Sequence, residues 1–210
     1  MSSILDEHQG YIADPVRLNQ FRQAIAKTVQ PGDRVADVRC GSAVLGLLCL
    51  QAGAGHIDAI DSTAAIEIAR QSLTKAGWGN QAGFIHGKSF QVELAEPVDV
   101  VICDHVGYFG FDSGLIETLA DARRRFLKPG GRLIPGRLRL QLGAVESNKC
   151  HQLAEGWVAP GIPPEFHGLR QHGINTKYAV NLQVDEVLAG PAELGCFDLR
   201  GQPGFFFVDR

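Results

Sequence analysis

Asp37, Gly41 and Asp61 are the residues whose types and spacing carry the most chemistry in this chain. Val35–Val38 is a short apolar run, Gly41 marks a tight turn, and Ala43–Ala52 follows a helical pattern. A second apolar run, Ile57–Ile60, ends on Asp61, 24 residues after Asp37. Strand, small-residue turn, helix, strand and acid is the order that builds a nucleoside site in a parallel sheet. The helix N-terminus and open backbone amides face the ligand, and the acid accepts hydrogen bonds from two ribose hydroxyls. Plainer alternatives stand beside each role. Asp61 can cap the next helix, a task Ser62 or Thr63 can share; Gly41 can be an ordinary turn glycine; Asp37 can bind through water or brace the loop amides. A second group lies beyond the run Val98–Cys103. Asp104 stands at the carboxyl edge where open α/β sheets bind ligands, with His105, Tyr108 and Asp112 on the same loop. A carboxylate there can act as general base, cation anchor or loop stabiliser. The His105 imidazole is of a type that takes protons near neutral pH, unless it serves as a hydrogen-bonded loop residue.

The elements that must position these groups alternate along the chain. Residues 1–14 read as a polar entry segment. Pro15 opens a helical stripe through Val16, Leu18, Phe21, Ala24, Ile25 and Val29 that stops before Pro31-Gly32-Asp33. Strands are expected near 34–38, 56–60, 83–86, 98–103 and 131–135, and helices near 43–52, 64–76 and 114–127. The near-continuous apolar strands fit a parallel sheet covered on both faces. Past Pro135 the pattern changes: Leu138, Leu140, Leu142 and Ala144 alternate with polar residues or glycine, the period of a half-exposed antiparallel strand. Residues 155–175 read as loop. Later strands are expected at Tyr178–Val184, Glu193–Leu199 and Phe205–Val208. The division predicted is a Rossmann-like domain over 1–135 and a β-rich region over 136–210.

At 210 residues the chain can bury a sizeable core, and 45% hydrophobic with 20% charged residues is ordinary globular composition. A net charge of −3 supplies no general attraction to nucleic acid or to an anionic membrane. The basic cluster Arg123, Arg124, Arg125 and Lys128 reads as the solvated last turn of a helix. Five scattered cysteines without metal-ligand spacing predict free, mostly buried thiols in a reducing compartment, and no metal site. No run approaches the roughly 20 apolar residues that cross a bilayer, and Met1–Gly10 is polar. The expected location is the cytoplasm. His167 and His172 lack ligand spacing and are assigned no role.

Five segments in a fixed order resemble the class I AdoMet-dependent methyltransferases and, within them, the protein arginine methyltransferase family. They are His8–Arg17, Val35–Ala43, Phe84–Leu94, Asp104–Asp112 and Ala122–Pro135. The resemblance implies a Rossmann-like class I methyltransferase fold with a mostly parallel sheet, plus a small C-terminal β-rich appendage, a truncated barrel. It implies S-adenosylmethionine as cofactor and S-adenosylhomocysteine as product, and Arg17 as the partner of the cofactor's carboxylate. Val35–Ala43 is set at the glycine-rich loop, and Ser89 and Phe90 at the adenine, although Phe90 can equally be ordinary core. With the residue-level reading, the cofactor contacts are Arg17, Asp37, Gly41, Asp61, Ser62, Lys88, Ser89 and Phe90. Asp104, with Asp112 or His105, would orient or deprotonate the acceptor. An antiparallel homodimer is also implied.

Three departures bear on activity. The loop glycine positions hold Arg39, Gly41 and Ala43; an arginine at the first can point away, cover the pocket or contact a carboxylate. The two glutamates of the family's acceptor loop are replaced by the shorter Asp104 and Asp112, the second one residue early in register. The family's Thr-His-Trp loop has no counterpart. Two principal readings follow: a methyltransferase acting on a nitrogen or oxygen of a peptide or small molecule, or a non-catalytic scaffold with a degenerate cofactor loop. A nicotinamide oxidoreductase fits less well, because its fingerprint would need glycine at Arg39, Gly41 and Val44.

Overall fold

The computed structural model describes residues 2–107, 109–110, 112–201 and 206–207. The polar entry segment is helical: α1 spans Ser2–Ala13 and α2 spans Pro15–Thr28. Asp14 separates them, its carboxylate accepting from the Arg17 amide at 3.0 Å while Pro15 sits in the first turn. That is a side-chain cap followed by the one residue type that needs no amide partner there.

Five parallel strands follow: β1 (Arg34–Val38), β2 (His56–Asp61), β3 (Ala82–His86), β4 (Val98–Ile102) and β5 (Leu127–Ile134). They lie in the order β3-β2-β1-β4-β5. Helices α3 (Val44–Gln51) and α4 (Ala65–Lys75) make the crossovers outward from β1 to β3, and α5 (Leu115–Arg125) connects β4 to β5. Because side chains alternate across a strand, Val35, Ile57, Ala59, Val100 and Ile102 share a core with residues of α2, α3 and α4. On the opposite side α5 packs against β4 and β5. Burial of both faces explains the continuous apolar strands. The connections leave β1 in one direction towards β2 and return to β4 on its other side, so a crevice opens at the carboxyl ends of β1 and β4.

Pro129-Gly130-Gly131 lies inside β5, which begins four residues before the expected 131. β5 is an edge strand, and a register shift between Val98 and Val100 accommodates Gly130 at φ +76°.

Two compact units are present: Met1–Leu138 with Cys196–Phe206, and Arg139–Gly195 with Phe207–Arg210. Strands β6 (Arg137–Leu142), β7 (Ala192–Asp198) and β8 (Phe206–Phe207) form a three-stranded sheet in that order, the small β appendage. Within 139–195 the segment read as loop contains short helical turns and α7 (Arg170–Ile174), preceded by α6 (Asn148–Ala154). Tyr178–Val184, expected as a strand, pairs with nothing in the sheets and instead leads into a helical turn at Val184–Glu186. Residues 205 and 208 of the last expected strand lie outside the described residues. All five cysteines are free; Cys49 and Cys103 are buried and the other three half-buried.

Candidate functional site

The loop after β1 is built from inside outward. Asp37, 1% exposed, accepts from the Gly46 amide in the first turn of α3 at 2.8 Å and so fixes the helix to the strand. A side chain at residue 46 would crowd both that carboxylate and Ile57, which is why a glycine sits in a helix there. Burial pushes the Asp37 carboxyl up to about 7; the Gly46 amide opposes the shift, the Asp61 charge adds to it, and Arg17 opposes it. Arg39 and Ala43 both adopt positive φ, +57° and +56°, a region usually left to glycine. The loop therefore keeps the backbone course that glycines would give it. Ala43 precedes α3 with no side-chain cap of its own; Asp37 takes the Gly46 amide, which leaves the Val44 and Leu45 amides at the helix start.

Asp61 ends β2 beside this loop and is 8% exposed. One oxygen accepts from the Gly41 amide at 2.8 Å; the other accepts from the Thr63 amide at 2.8 Å and its hydroxyl at 2.7 Å. The carboxylate thus joins the loops after β1 and β2. A carboxylate offers about four acceptor positions, and three are used within the chain. The helix-start role belongs to Thr63, whose hydroxyl accepts from the Ala65 amide at 3.2 Å, and not to Ser62. Ser62 is exposed, and its carbonyl lies 3.3 Å from His86 Nε2.

Gly41 meets a group that the motif spacing did not single out. A Cβ placed there would stand 2.3 Å from Cε1 of His8, so the imidazole from α1 lies directly on the loop.

Past β3, Lys88 is exposed, Ser89 is buried and Phe90 is 54% exposed. Ordinary core is thereby excluded for Phe90. The turn is held from below by Arg125 of α5, whose guanidinium donates to the carbonyls of Ser89 and Val92 and to Asp121. Arg125 is therefore not a solvated last-turn arginine. Arg123 likewise donates to the carbonyls of Arg200 and Gly201, whereas Arg124 only pairs with Asp121 on the exposed face.

At the loop after β4, Asp104 forms an ion pair with Arg17. The same guanidinium donates to the Tyr11 carbonyl at 3.1 Å and stacks 5.2 Å and 5.4 Å from the Tyr11 and Phe21 rings. A residue assigned to the cofactor and one assigned to the acceptor are thus one pair. His105 is exposed on this loop. Asp112 is exposed and accepts from the Phe109 amide at 3.0 Å. Tyr108 lies outside the described residues. Arg39 crosses the crevice and donates to the Ser113 carbonyl at 2.6 Å, so among the courses open to it the contact is with a backbone oxygen.

The profile of the family described as ribosomal protein L11 methyltransferase (PrmA) matches residues 22–156, more than half of the chain. This chain belongs to that methyltransferase family. Within the class I methyltransferases it resembles the protein arginine methyltransferases, as curated relatives show. It is 31% identical over 140 residues to the probable protein arginine N-methyltransferase 6 of Arabidopsis thaliana, covering 66% of this chain and 32% of that protein. It is 32% identical over 204 residues to protein arginine N-methyltransferase 6 of Danio rerio, covering 92% and 58%. The class I methyltransferase fold is shared with the Trypanosoma brucei PRMT1 enzyme–prozyme heterotetrameric complex with AdoHcy, at a TM-score of 0.81 and 22% identity over 92% of this chain and 62% of that one. Protein arginine methyltransferase 10 of Arabidopsis thaliana gives 0.76 and 23%, covering 94% and 63%. The chain spans about a third to three fifths of the length of such curated relatives.

The residues present fit the adenosyl cofactor of class I methyltransferases. At the start of α3 the Val44 and Leu45 amides stand beside the one that Asp37 takes, and Asp61 retains an acceptor position at the strand end.

Proposed function

We propose that this chain binds AdoMet at the carboxyl ends of β1 and β2 and transfers its methyl group to a nitrogen or oxygen acceptor at the loop after β4. The observation that carries this reading is the buried Asp61 carboxylate joined to the Gly41 amide, beside the start of α3 at the sheet's switch point. AdoMet supplies an electrophilic methyl on sulfur, so the chain's own residues have to bind, orient and exclude water. Asp61 and Gly41 hold the ribose side, and Asp37 keeps the loop on α3. Ser62, Lys88, Ser89 and Phe90 border the adenine. Arg17 shares its charge between Asp104 and the cofactor's carboxylate. Asp104, His105 and Asp112 face the acceptor. In this reading residues 1–135 form the cofactor domain and 136–210 a β-rich partial barrel or substrate region.

The relatives' names refer to two different acceptors, ribosomal protein L11 and arginine residues of proteins, so membership alone leaves the acceptor open. A peptide or small molecule is proposed, with a homodimer as the assembly and the cytoplasm as the location. No helix among the described residues is long and apolar enough to cross a membrane.

The scaffold reading is favoured by two observations, Arg39 at a glycine position and the His8 ring over Gly41. Thermal unfolding with AdoHcy separates cofactor binding from its loss. At one hundred times Kd the ligand should stabilise the chain by about 2.7 kcal/mol, a rise in Tm of roughly 5–11 °C for a chain this long. An unchanged Tm at millimolar AdoHcy would reject binding. Transfer of a labelled methyl group then separates enzyme from scaffold.

A further inference from the structure

Arg39 holds a backbone conformation that costs a residue with a side chain and persists only where the surroundings enforce it: its φ is +57°. The enforcement comes from β2. The Cys40 amide donates to the Ile60 carbonyl at 3.0 Å, and the Gly41 amide donates to Asp61 at 2.8 Å. With the backbone fastened on that side, the side chain runs the other way. Its guanidinium donates to the Ser113 carbonyl at 2.6 Å, 74 residues along the chain and beyond β4. A charged donor makes a stronger bond than a neutral one. Ser113 is followed by Gly114, which lies at φ +71° before α5 and makes no side-chain cap. A tie at Ser113 therefore steadies a helix start that has no cap of its own. The loop after β4 is thus fastened at its near end by the pair of Asp104 with Arg17, and at its far end by Arg39.

We infer that Arg39 is a positioning residue that couples the two halves of the site: it fastens the acceptor loop to the cofactor loop, so that a nucleoside held at Asp61 and Gly41 steadies Ser113 and the first turn of α5. This rests on the AdoMet site proposed above and places no limit on the acceptor's chemistry. The coupling runs through one stretch of backbone. A ligand on Asp61 and Gly41 restrains residues 39–41, a restrained Arg39 leaves Ser113 less often, and the loop facing the acceptor samples fewer positions. Coupling of this kind is reciprocal, so a steadied Ser113 favours the ligand by the same factor. Fewer loop positions mean a better held acceptor, which is what an in-line methyl transfer needs. The second attachment accounts for an arginine in a conformation that suits glycine.

The test is amide hydrogen exchange of the full chain, free and saturated with AdoHcy, with AdoHcy affinity read by calorimetry. In the wild type AdoHcy should slow exchange of residues 39–46 and also of residues 112–119, the latter by about fivefold. Arg39→Gly, which suits the left-handed backbone, should speed exchange of 112–119 in the free chain and abolish its response to AdoHcy, while 39–46 still responds. By reciprocity AdoHcy should bind this variant more weakly by a similar factor. Arg39→Lys keeps a charged donor for one carbonyl and should restore part of the response. A residue that only braced α5 would leave 112–119 indifferent to AdoHcy in the wild type. Protection of 39–46 without 112–119, a response of 112–119 that survives Arg39→Gly, or an Arg39→Lys no better than Arg39→Gly would overturn the inference and leave the AdoMet reading standing. Failure of AdoHcy to bind the folded wild-type chain would overturn both.

Discussion

Asp37 is the residue whose environment departs furthest from water among the carboxylates of the site. Its carboxyl lies at about 7 in the folded chain against an ordinary 3.8, because burial penalises the charge. The folded state then holds a proton that the unfolded state releases between those values. Stability from this group is present below pH 3.8 and is lost as pH rises towards 7, by up to about 4 kcal/mol at 1.36 kcal/mol per pH unit. Asp37→Asn keeps an oxygen for the Gly46 amide and removes the titration. Urea unfolding should therefore show the wild type losing more stability between pH 5 and pH 7.5 than the variant does; equal losses would contradict it. At this scale the sequence was legible where chemistry follows from position in an element. Asp61 could be placed because it ends a strand. The His8 contact with Gly41 and the Arg39 bond to Ser113 were not legible, since they join residues 33 and 74 positions apart. Only the packing of α1 and the crossing of the sheet bring those together.

Among the elements, α5 does more than its polar last turn announced. Arg125 spans Asp121, the Ser89 carbonyl and the Val92 carbonyl, so the turn bearing the candidate adenine residues depends on one guanidinium. An ammonium is a point charge and cannot reproduce a planar fork. Arg125→Lys should cost about 1–3 kcal/mol in chemical denaturation and weaken AdoHcy binding at least threefold. A variant as stable and as tight as wild type would show that the turn holds itself. The strands and helices of the sheet were read within a few residues because both faces are buried and the apolar runs are continuous. β5 was the exception: its Pro-Gly-Gly start has turn chemistry, and only an edge position with a register shift makes it a strand. α1 was missed because its apolar positions, such as Leu5 and Ile12, are largely exposed and leave no core-facing stripe to read.

For the whole molecule, the methyltransferase fold was legible from five ordered segments, whereas the residues beyond Pro135 were not. The alternation at Leu138–Leu142 did become β6, but Tyr178–Val184 has strand composition and no pairing partner in the sheets. Composition alone does not supply a neighbour for a strand. The account's central claim concerns the first compact unit: that the loop after β1, the acid ending β2 and the start of α3 form one AdoMet site. Calorimetric titration of the purified chain with AdoMet, in wild type and Asp61→Ala, tests it most directly. Micromolar binding in the wild type, weakened at least tenfold by the substitution in a chain that circular dichroism shows to be folded, is the predicted result; tenfold corresponds to about 1.4 kcal/mol. Absence of heat from the folded wild type, or an affinity untouched by Asp61→Ala, would contradict it.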